Sequence, residues 1–212
     1  MYTLYYYPGN ANLAPHMVLR ELGVPYELVL VDREKNQQKS PDYLKLNPHG
    51  RIPTLYDDGL VLYEAAAICL HLAERHPEAG LVPPLGSAER SKFYQILIYL
   101  TNTLQAEMLM YFYPERWASG EAATQVKAAA EAHMVTMFDQ IESELASHGG
   151  PWVLGEQYSL VDPYLFMLAR WSRNMTQPAS HRPHLRQFQE RMSARPAVQR
   201  CFADEGIPPP YF

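Results

Sequence analysis

Residues 51–68, RIPTLYDDGLVLYEAAAI, are the most informative segment of this chain, because they combine a proline, a hairpin and the start of a helix. Thr54 to Tyr56 and Leu60 to Tyr63 have the composition of short strands. Asp57-Asp58-Gly59 lies between them and carries the Asp-Gly signal of a tight hairpin turn. A helix is predicted from Glu64 to about Arg75.

This segment can hold an extended peptide in two ways. A cis peptide bond at Ile52-Pro53 would turn the backbone of Ile52 outward, so that its N–H and C=O could pair with the peptide as an extra strand. The helix start at Glu64 offers free N–H groups to a carboxylate, and the Glu64 side chain can accept an ammonium group. A ligand with an amine, a carboxylate and a peptide bond fits this pattern. The alternative is a plain hairpin and helix, with Pro53 on an edge strand.

The composition describes a globular protein. The chain has 212 residues, of which 47% are hydrophobic and 19% charged. A net charge of −5 without a basic run does not favour a nucleic-acid partner, and no apolar run of about 18 residues predicts a membrane span. The first residues are predicted to be a strand and not an export signal. Cys69 and Cys201 do not form a C-x-x-C pair, which indicates two free thiols and a cytoplasmic location. Cys69 is predicted to pack in the core.

The chain divides into two predicted domains. In the first, residues 1–80, strands at Thr3–Tyr7 and Tyr26–Val31 flank a helix at Leu13–Leu22, and the hairpin and its helix follow. Residues 81–87 continue a stretch rich in proline and glycine and are predicted to be a linker. Residues 88–212 are predicted to be helical.

The second domain contains five predicted helices. Their predicted ranges are residues 90–112, 122–146, from 159 onward, 185–193 and 196–203. Ser159 and Asp162 have the spacing of a capping box, in which the serine hydroxyl accepts from the Asp162 N–H and the carboxylate accepts from the Ser159 N–H. This pair is predicted to have a structural role.

Five collinear segments resemble the cytosolic glutathione S-transferases, and the bacterial beta-like members most closely. These segments read YYYPGNANLAPHMVLRELGVPYELVLVD, LNPHGRIPTLYDDG, YEAAAI, SLVDPYLF and RPHLRQFQERMSARPAVQ. The resemblance implies an α/β thioredoxin-like N-terminal domain, an all-α C-terminal helical domain and a homodimer. It also implies glutathione as co-substrate and a small hydrophobic electrophile as the second substrate.

The resemblance assigns the glutathione contacts residue by residue. Ile52 resembles the residue whose backbone pairs with the cysteinyl part of glutathione, and Pro53 resembles the cis-proline. Glu64 resembles the residue that holds the γ-glutamyl amine. Many members then have a serine for the γ-glutamyl carboxylate, but this chain has Ala65, so only its backbone N–H could serve. Arg51 matches a position where a basic residue often meets the glycyl carboxylate, or it is a solvated surface charge.

The residue that activates the thiol is left open by the sequence. A free thiol has a pKa of about 8.5, so the protein must stabilise the anion with hydrogen-bond donors or a helix N-terminus. The characteristic cysteine of beta-class members falls at Ala11. The remaining candidates are Asn10, Asn12 and the tyrosines Tyr5–Tyr7, of which Tyr6 aligns best with the family. Asn12 is expected to cap the first helix, to donate to sulfur, or both, and each tyrosine has a core role as its alternative.

The electrophile pocket is predicted in a stretch dense in methionine and tyrosine. Met108, Tyr111 and Tyr113 are candidates for a flexible apolar wall. Their alternative is packing in the helical core or in a dimer contact. The aromatic tail at residues 210–212 is expected either to fold over this pocket or to be a free end.

Three functions remain open at this point. The first is nucleophilic addition or substitution by the glutathione thiolate on small apolar electrophiles. The second is glutathione-dependent reduction of disulfides or peroxides, and the third is non-catalytic glutathione binding. No metal site is predicted, because the close histidine pair, His181 and His184, flanks a proline.

Overall fold

The computed structural model describes residues 1–212, which form a four-stranded sheet and nine α-helices in two compact units. Unit 1 comprises residues 1–82 and 193–211. Unit 2 comprises residues 83–192 together with the last residue of the chain. None of the helices combines the length and the apolar composition that crossing a bilayer requires.

Unit 1 is built on a sheet with the strand order β2-β1-β3-β4. The strands are β1 (Tyr2–Tyr6), β2 (Tyr26–Leu30), β3 (Thr54–Asp57) and β4 (Leu60–Tyr63). β1 and β2 are parallel and are joined by helix α1 (Leu13–Leu22), whereas β3 pairs antiparallel with both β1 and β4. The predicted thioredoxin-like arrangement of strands and helices is therefore confirmed, with strand ends shifted by one residue.

Helices cover both faces of this sheet. Helices α1 and α3 (Ala65–Arg75) pack against each other, and Leu4 of β1 is fully buried. On the opposite face, Tyr43 of the short helix α2 (Pro41–Leu46) packs edge-on against Tyr5, with 6.0 Å between the ring centroids. Successive residues of a strand point to opposite faces, which explains why Leu4 and Tyr5 meet different helices.

The last helix of the chain belongs to unit 1. Helix α9 (Pro196–Asp204) packs on α1, whereas the sequence placed it in the helical domain. Arg195 makes a two-point ion pair with Glu21 at the end of α1, at 2.6 and 2.8 Å. Residues so far apart in sequence cannot be paired from local patterns, so this difference could be seen only in the structure.

Unit 2 is entirely helical, as predicted. Its helices are α4 (Ala88–Tyr99), α5 (Ala106–Phe112), α6 (Glu121–His148), α7 (Val161–Trp171) and α8 (Pro183–Ala194), the last of which ends at the unit boundary. The helix predicted over residues 90–112 is interrupted by a π-helical segment at Leu100–Gln105. Ten of the eleven residues of α7 are buried, which makes it the central helix of the unit.

The Ser159–Asp162 pair forms only half of the predicted reciprocal box. The Asp162 carboxylate accepts from the Ser159 N–H at 2.8 Å, as expected. The Ser159 hydroxyl does not accept from the Asp162 N–H; it lies 3.3 Å from the carboxylate and donates to it, while the Ser159 carbonyl accepts from that N–H. The second carboxylate oxygen accepts from the Val153 N–H at 2.8 Å, so Asp162 also fastens the preceding loop to α7.

Candidate functional site

Three segments of unit 1 meet at one end of the sheet. Tyr5 of β1 lies opposite Thr54 of β3, and Thr54 lies opposite Tyr63 of β4. Because neighbouring strands are about 4.8 Å apart, the residues just beyond this row are also neighbours. They are Pro53 before β3, Glu64 after β4, and the loop that leads from β1 into α1. The sheet register thus gathers the residues that the sequence proposed as a peptide-binding site.

The Ile52-Pro53 peptide bond is cis, as the sequence analysis expected. Pro53 is buried and Ile52 is half-buried. Neither the N–H nor the C=O of Ile52 is hydrogen-bonded within the chain. This backbone unit can therefore donate to and accept from an extended ligand.

The loop before Pro53 is held from behind by α2. The Tyr43 hydroxyl donates to the Arg51 carbonyl at 2.8 Å, and Asn47 Nδ2 donates to the same oxygen at 2.8 Å. The Tyr43 oxygen also lies 2.9 Å from Thr54 Oγ1. Burial disfavours the phenolate and raises the pKa of Tyr43 to about 12, so the hydroxyl stays a donor across the physiological range.

Removing this hydroxyl should loosen the loop. We expect Tyr43→Phe to lower the free energy of unfolding by about 1–2 kcal/mol, because the buried Thr54 hydroxyl loses a partner and the Arg51 carbonyl loses a donor. Chemical denaturation measures this loss. Tyr5→Phe is the matched control, since Tyr5 packs on Tyr43 but makes no hydrogen bond with it. Equal losses in the two variants would contradict this role of the Tyr43 hydroxyl.

Lys39 places a positive charge beside this loop, in addition to Arg51, and the sequence analysis did not single it out. The Lys39 ammonium donates to the His49 carbonyl at 3.2 Å. Gly50 has φ +58°, and a Cβ there would lie 2.7 Å from Lys39 Nζ and 2.8 Å from the Gln38 carbonyl. The backbone therefore approaches this segment at a distance that only glycine permits. Arg51 is exposed, so two cationic side chains, Lys39 and Arg51, flank the loop.

Glu64 has an unusual backbone conformation at the start of α3. The helix begins at Ala65, one residue later than predicted, and Glu64 is its N-cap with φ 72° and ψ 111°. Such angles are rare for a residue with a side chain and cost of order 1–3 kcal/mol. The Glu64 side chain is exposed and makes no capping bond, which leaves its carboxylate for a ligand. The Ala65 side chain is buried, so only its backbone N–H can contribute.

The structure corrects the expectation for Asn12. Its side chain is fully buried and does not cap α1. Its Oδ1 accepts from the Tyr7 N–H at 3.1 Å, and its Nδ2 donates to Glu205 at 2.8 Å. Asn12 thus fixes the loop between β1 and α1, and both polar atoms of its side chain have partners within the protein.

The other thiol-activating candidates differ in what they contact. Asn10 is half-buried and its Oδ1 accepts from Arg33 at 2.7 Å, which directs the amide N–H groups of Asn10 away from that arginine. Tyr6 is half-buried. Its pKa is raised by burial and by the negative charges of Glu205 and Asp204, so the phenol stays protonated. Both side chains can act as neutral donors.

The neighbouring tyrosines, Tyr5 and Tyr7, contact other residues of the protein. Tyr5 packs on Tyr43, and the Tyr7 hydroxyl donates to Glu34 at 3.3 Å. Tyr5 is half-buried against Tyr43, and Tyr7 belongs to the surface beside β2.

A buried cluster centred on Glu205 was missed by the sequence analysis. Its carboxylate lies at hydrogen-bond distance, 2.8 Å in each case, from Asn12 Nδ2, His16 Nδ1 and the Gly9 N–H. The side chains of His16 and Glu205 are fully buried. The end of α9 is thereby fastened to the loop that opens α1. No sequence motif connects residues about 190 positions apart, so only the fold reveals the cluster.

By spacing alone, a metal ion could be held by three side chains, because the ligand atoms of His16, Cys201 and Glu205 lie within 4.8 Å of one another. Both ring nitrogens of His16, however, already have hydrogen-bond partners. His16 Nδ1 meets Glu205, and His16 Nε2 lies 2.9 Å from the Tyr26 hydroxyl. Burial and the nearby carboxylates also raise the pKa of the Cys201 thiol, which disfavours the thiolate that a metal needs. The cluster is best described as a hydrogen-bond network.

Both cysteines are buried and free. Burial raises the pKa of the Cys69 thiol as well, and the predicted core role of Cys69 is confirmed. Neither thiol is accessible for a mixed disulfide with a ligand.

The residues predicted to line the electrophile pocket lie in unit 2, and they differ in how far they are buried. Met108 is 1% exposed and Tyr111 is 7% exposed, so both belong to the helical core, which was the alternative. Tyr113 is half-buried, with the Arg116 guanidinium 4.0 Å from its ring centroid. In unit 1, the ring of Tyr211 stacks on Phe202 at 4.3 Å, so this part of the tail is packed and is not a free end.

Comparison with known proteins gives one consistent result. Residues 1–74 match the family model of the glutathione S-transferase N-terminal domain, and residues 94–204 match the model of its C-terminal domain. The chain is 32% identical over 206 residues to glutathione S-transferase GstA of Escherichia coli O157:H7, covering 96% of this chain and 98% of that protein.

Solved structures agree with these matches. A glutathione transferase homologue from Sulfitobacter with bound glutathione superposes with a TM-score of 0.89 at 32% identity, covering 98% of this chain and 99% of the other. The bacterial beta class glutathione S-transferase of Sphingomonas chungbukensis gives a TM-score of 0.84 at 29% identity, with 97% and 100% coverage.

Proposed function

The chain belongs to the glutathione S-transferase family, and from this premise we propose that it is a glutathione transferase acting on small apolar electrophiles. Glutathione is its co-substrate. The observation that carries the proposal is the convergence of the cis Ile52-Pro53 backbone, Glu64 and the start of α1 at one end of the sheet. Each of these offers a group that complements a part of glutathione.

We assign the contacts as follows. The free backbone of Ile52 pairs with the cysteinyl residue of glutathione. The Glu64 carboxylate accepts from the γ-glutamyl ammonium, and the Ala65 N–H at the start of α3 donates to the neighbouring carboxylate. Arg51 and Lys39 provide positive charge for the glycyl carboxylate. These roles are supported by the exposure of Glu64 and Arg51 and by the unpaired backbone of Ile52.

The thiol is activated without a protein cysteine. Backbone N–H groups at the start of α1, the Asn10 amide and the Tyr6 hydroxyl are the proposed donors to the sulfur anion. The thiol proton leaves to water. The sulfur lone pair then forms a bond to the electrophilic carbon, and the leaving group departs with its electron pair. Tyr113 is the proposed apolar contact for an aromatic electrophile.

Reduction of disulfides by glutathione is the second candidate. The burial of both cysteines means that such a reaction would use two glutathione molecules. The first thiolate would displace one half of the disulfide, and the second would displace the other half and yield oxidised glutathione.

Two measurements test these functions together. Calorimetric titration with reduced glutathione should give a saturable heat at millimolar ligand or below. Turnover is then compared for 1-chloro-2,4-dinitrobenzene and for 2-hydroxyethyl disulfide. Faster turnover of the aryl halide supports the transferase, and faster turnover of the disulfide supports the reductase. Binding without either turnover would leave only a glutathione-binding role, and no heat would refute the assignment.

Glu64→Gly should raise the stability of the fold and weaken the binding of glutathione. Glycine adopts a positive φ without strain, so we expect the free energy of unfolding to rise by about 1 kcal/mol. The dissociation constant for glutathione should rise by at least about tenfold, because a charge-assisted hydrogen bond is lost. Asp58→Gly is the matched control: Asp58 also has a positive φ, 45°, but lies in the hairpin turn at the other end of β3 and β4. Equal effects of the two variants on binding would contradict the role of Glu64.

We further propose that the protein is a homodimer in the cytoplasm. Large apolar side chains are exposed on β3, β4 and α4, which supports an interface between copies. These side chains are Tyr56, Leu60, Tyr94 and Ile98, each 37–55% exposed. Light scattering after size-exclusion chromatography tests the oligomeric state, and a single 24.3 kDa species at micromolar concentration would refute the dimer.

A further inference from the structure

Two loops of unit 1 meet where the parallel strands β1 and β2 end. Tyr6, the last residue of β1, lies opposite Leu30, the last residue of β2, and the Val31 N–H donates to the Tyr6 carbonyl at 2.8 Å. The carboxyl ends of parallel strands lie at the same edge of a sheet, where α/β folds commonly bind ligands. The loop after β1 carries Asn10 and the loop after β2 carries Arg33, and these two side chains are in contact.

The loop after β1 uses most of its backbone N–H groups within the protein. Those of Tyr7, Gly9 and Asn10 all have acceptors. Those of Ala11 and Asn12 have none, and they lie just before the first residue of α1. The Asn10 side chain adds to this pair of free donors only if its N–H groups, and not its oxygen, face the ligand.

Arg33 decides which end of the Asn10 amide is held by the protein. Its Nη1 donates to Asn10 Oδ1 at 2.7 Å, a length typical of a charge-assisted hydrogen bond. A guanidinium has only donors, so the amide oxygen stays on the side of Arg33 and the amide N–H groups point away from it. A positive charge at the oxygen also polarises the amide, which strengthens any hydrogen bond that its N–H groups donate.

The segment that carries Arg33 is itself fixed. The Asp32 carboxylate accepts from the backbone N–H groups of Glu34 and Lys35 at 3.0 and 3.2 Å, which closes a tight turn around Arg33. The Lys35 ammonium pairs with Asp32 at 2.8 Å, so this acidic side chain has a cation of its own. The Arg33 guanidinium carbon lies 5.9 Å from the centroid of the Tyr7 ring, and the Tyr7 hydroxyl donates to Glu34 at 3.3 Å. Arg33 therefore reaches across the edge of the sheet from a fixed turn.

We propose that Arg33 is a positioning residue for the glutathione thiol, because its guanidinium holds the Asn10 amide with the N–H groups toward the sulfur. The bound thiol loses its proton to water, and the Asn10 amide and the free N–H groups of Ala11 and Asn12 donate to the resulting anion. Arg33 acts through Asn10 and does not itself contact the sulfur. This role rests on the proposed function, since it requires glutathione at this end of the sheet.

The ionisation of the bound thiol tests this role directly. It is measured as the ultraviolet absorbance of the thiolate in the glutathione complex over a pH series, after subtraction of the complex with S-methylglutathione. Arg33→Met removes the donors and the charge but keeps a long apolar side chain against the Tyr7 ring. We expect it to lower the thiolate fraction about tenfold well below the pKa of the bound thiol, with little change well above that pKa.

A double-mutant cycle tests whether Arg33 acts through Asn10. Asn10→Ala should lower the thiolate fraction as much as Arg33→Met does, and combining the two should lower it less than about twofold further. Lys35→Gln is the matched control, because it removes an exposed positive charge from the same turn, and it should change the fraction less than about twofold. The dissociation constant of S-methylglutathione, which has no thiol proton, should stay within about twofold of wild type in every variant.

Each further outcome has a distinct meaning. Additive effects of Arg33→Met and Asn10→Ala would overturn the proposed role of Arg33, as would equal effects of Arg33→Met and Lys35→Gln. Thermal unfolding establishes that the variants fold, and Arg33→Gln gives the same comparison if Arg33→Met does not. If the wild-type chain binds glutathione and Arg33→Met leaves the thiolate fraction unchanged, only the role of Arg33 is refuted. If the wild-type chain binds neither glutathione nor S-methylglutathione, the proposed function is refuted together with it.

Discussion

Replacing Glu205 by glutamine should lower the free energy of unfolding by about 3 kcal/mol or more, because it breaks a buried charged hydrogen-bond cluster. The carboxylate faces three nitrogen donors, from Gly9, Asn12 and His16, each at 2.8 Å, and also the Cys201 thiol at 4.0 Å. Glutamine keeps the shape of the side chain but turns an N–H group toward at least one of these donors. That contact is repulsive, and it leaves a buried donor without an acceptor.

The adjacent residue provides the control for this experiment. Asp204 ends the same helix and its carboxylate lies 3.4 Å from His16 Nε2, but it makes its hydrogen bonds with Arg20 at a partly exposed position, with side-chain exposures of 29% and 31%. Asp204→Asn should therefore cost less than about 1 kcal/mol. Far-UV circular dichroism in urea measures both variants. If Glu205→Gln costs no more than Asp204→Asn, the cluster does not stabilise unit 1 as described.

The Glu205 variant should also lower turnover. Gly9 and Asn12 belong to the loop that presents the start of α1, so their release moves the donors proposed for the glutathione thiol. The pH profile of turnover is the distinguishing readout, since misplaced donors raise the apparent pKa of the bound thiol, whereas partial unfolding lowers turnover equally at all pH values.

Asp162→Ala should lower the free energy of unfolding by about 2–4 kcal/mol. Removing a residue that only caps a helix lowers the free energy of unfolding by about 1 kcal/mol. The Asp162 carboxylate does more, because it is fully buried and accepts from two backbone N–H groups, of Ser159 and Val153. Alanine leaves both of these donors without that acceptor. The loop before α7 should then detach from the helix.

Tryptophan emission isolates this effect, because all three tryptophans, Trp117, Trp152 and Trp171, belong to unit 2. The Asp162→Ala transition followed by tryptophan emission should move to lower urea. Ser159→Ala, which removes only a hydroxyl that donates to the same carboxylate, is the control and should cost about 1 kcal/mol. Equal losses in the two variants would show that Asp162 acts only as a cap.

Local patterns predicted most of the secondary structure. The hairpin, the strand β4 and helix α1 lie where the turn residues and apolar spacing placed them. The position of Glu64 at a helix start followed from the residues of one short segment, and the cis bond before Pro53 was one of the two alternatives that this segment left open. These features depend on neighbours a few residues away, which is the range over which turn chemistry and helix periodicity act.

Contacts between side chains that are far apart in sequence were not predictable in this way. Asn12 was expected to cap its helix, to donate to the thiol, or both, whereas in the structure its side chain is buried and bonded to Glu205 from the end of the chain. The π-helical segment likewise has no periodicity signal of its own.

The sequence alone was enough to predict a first part with a sheet and a helical second part, because these arise from short-range patterns of turn residues, apolar spacing and charge. Its assignment of peptide-binding residues stays a prediction. Only the tertiary structure decided that α9 packs on α1, that Asn12 positions the loop, and that Met108 and Tyr111 are core. The physical reason is that a buried polar group takes whichever partner the packed chain brings within hydrogen-bond distance, and sequence separation places no limit on that partner.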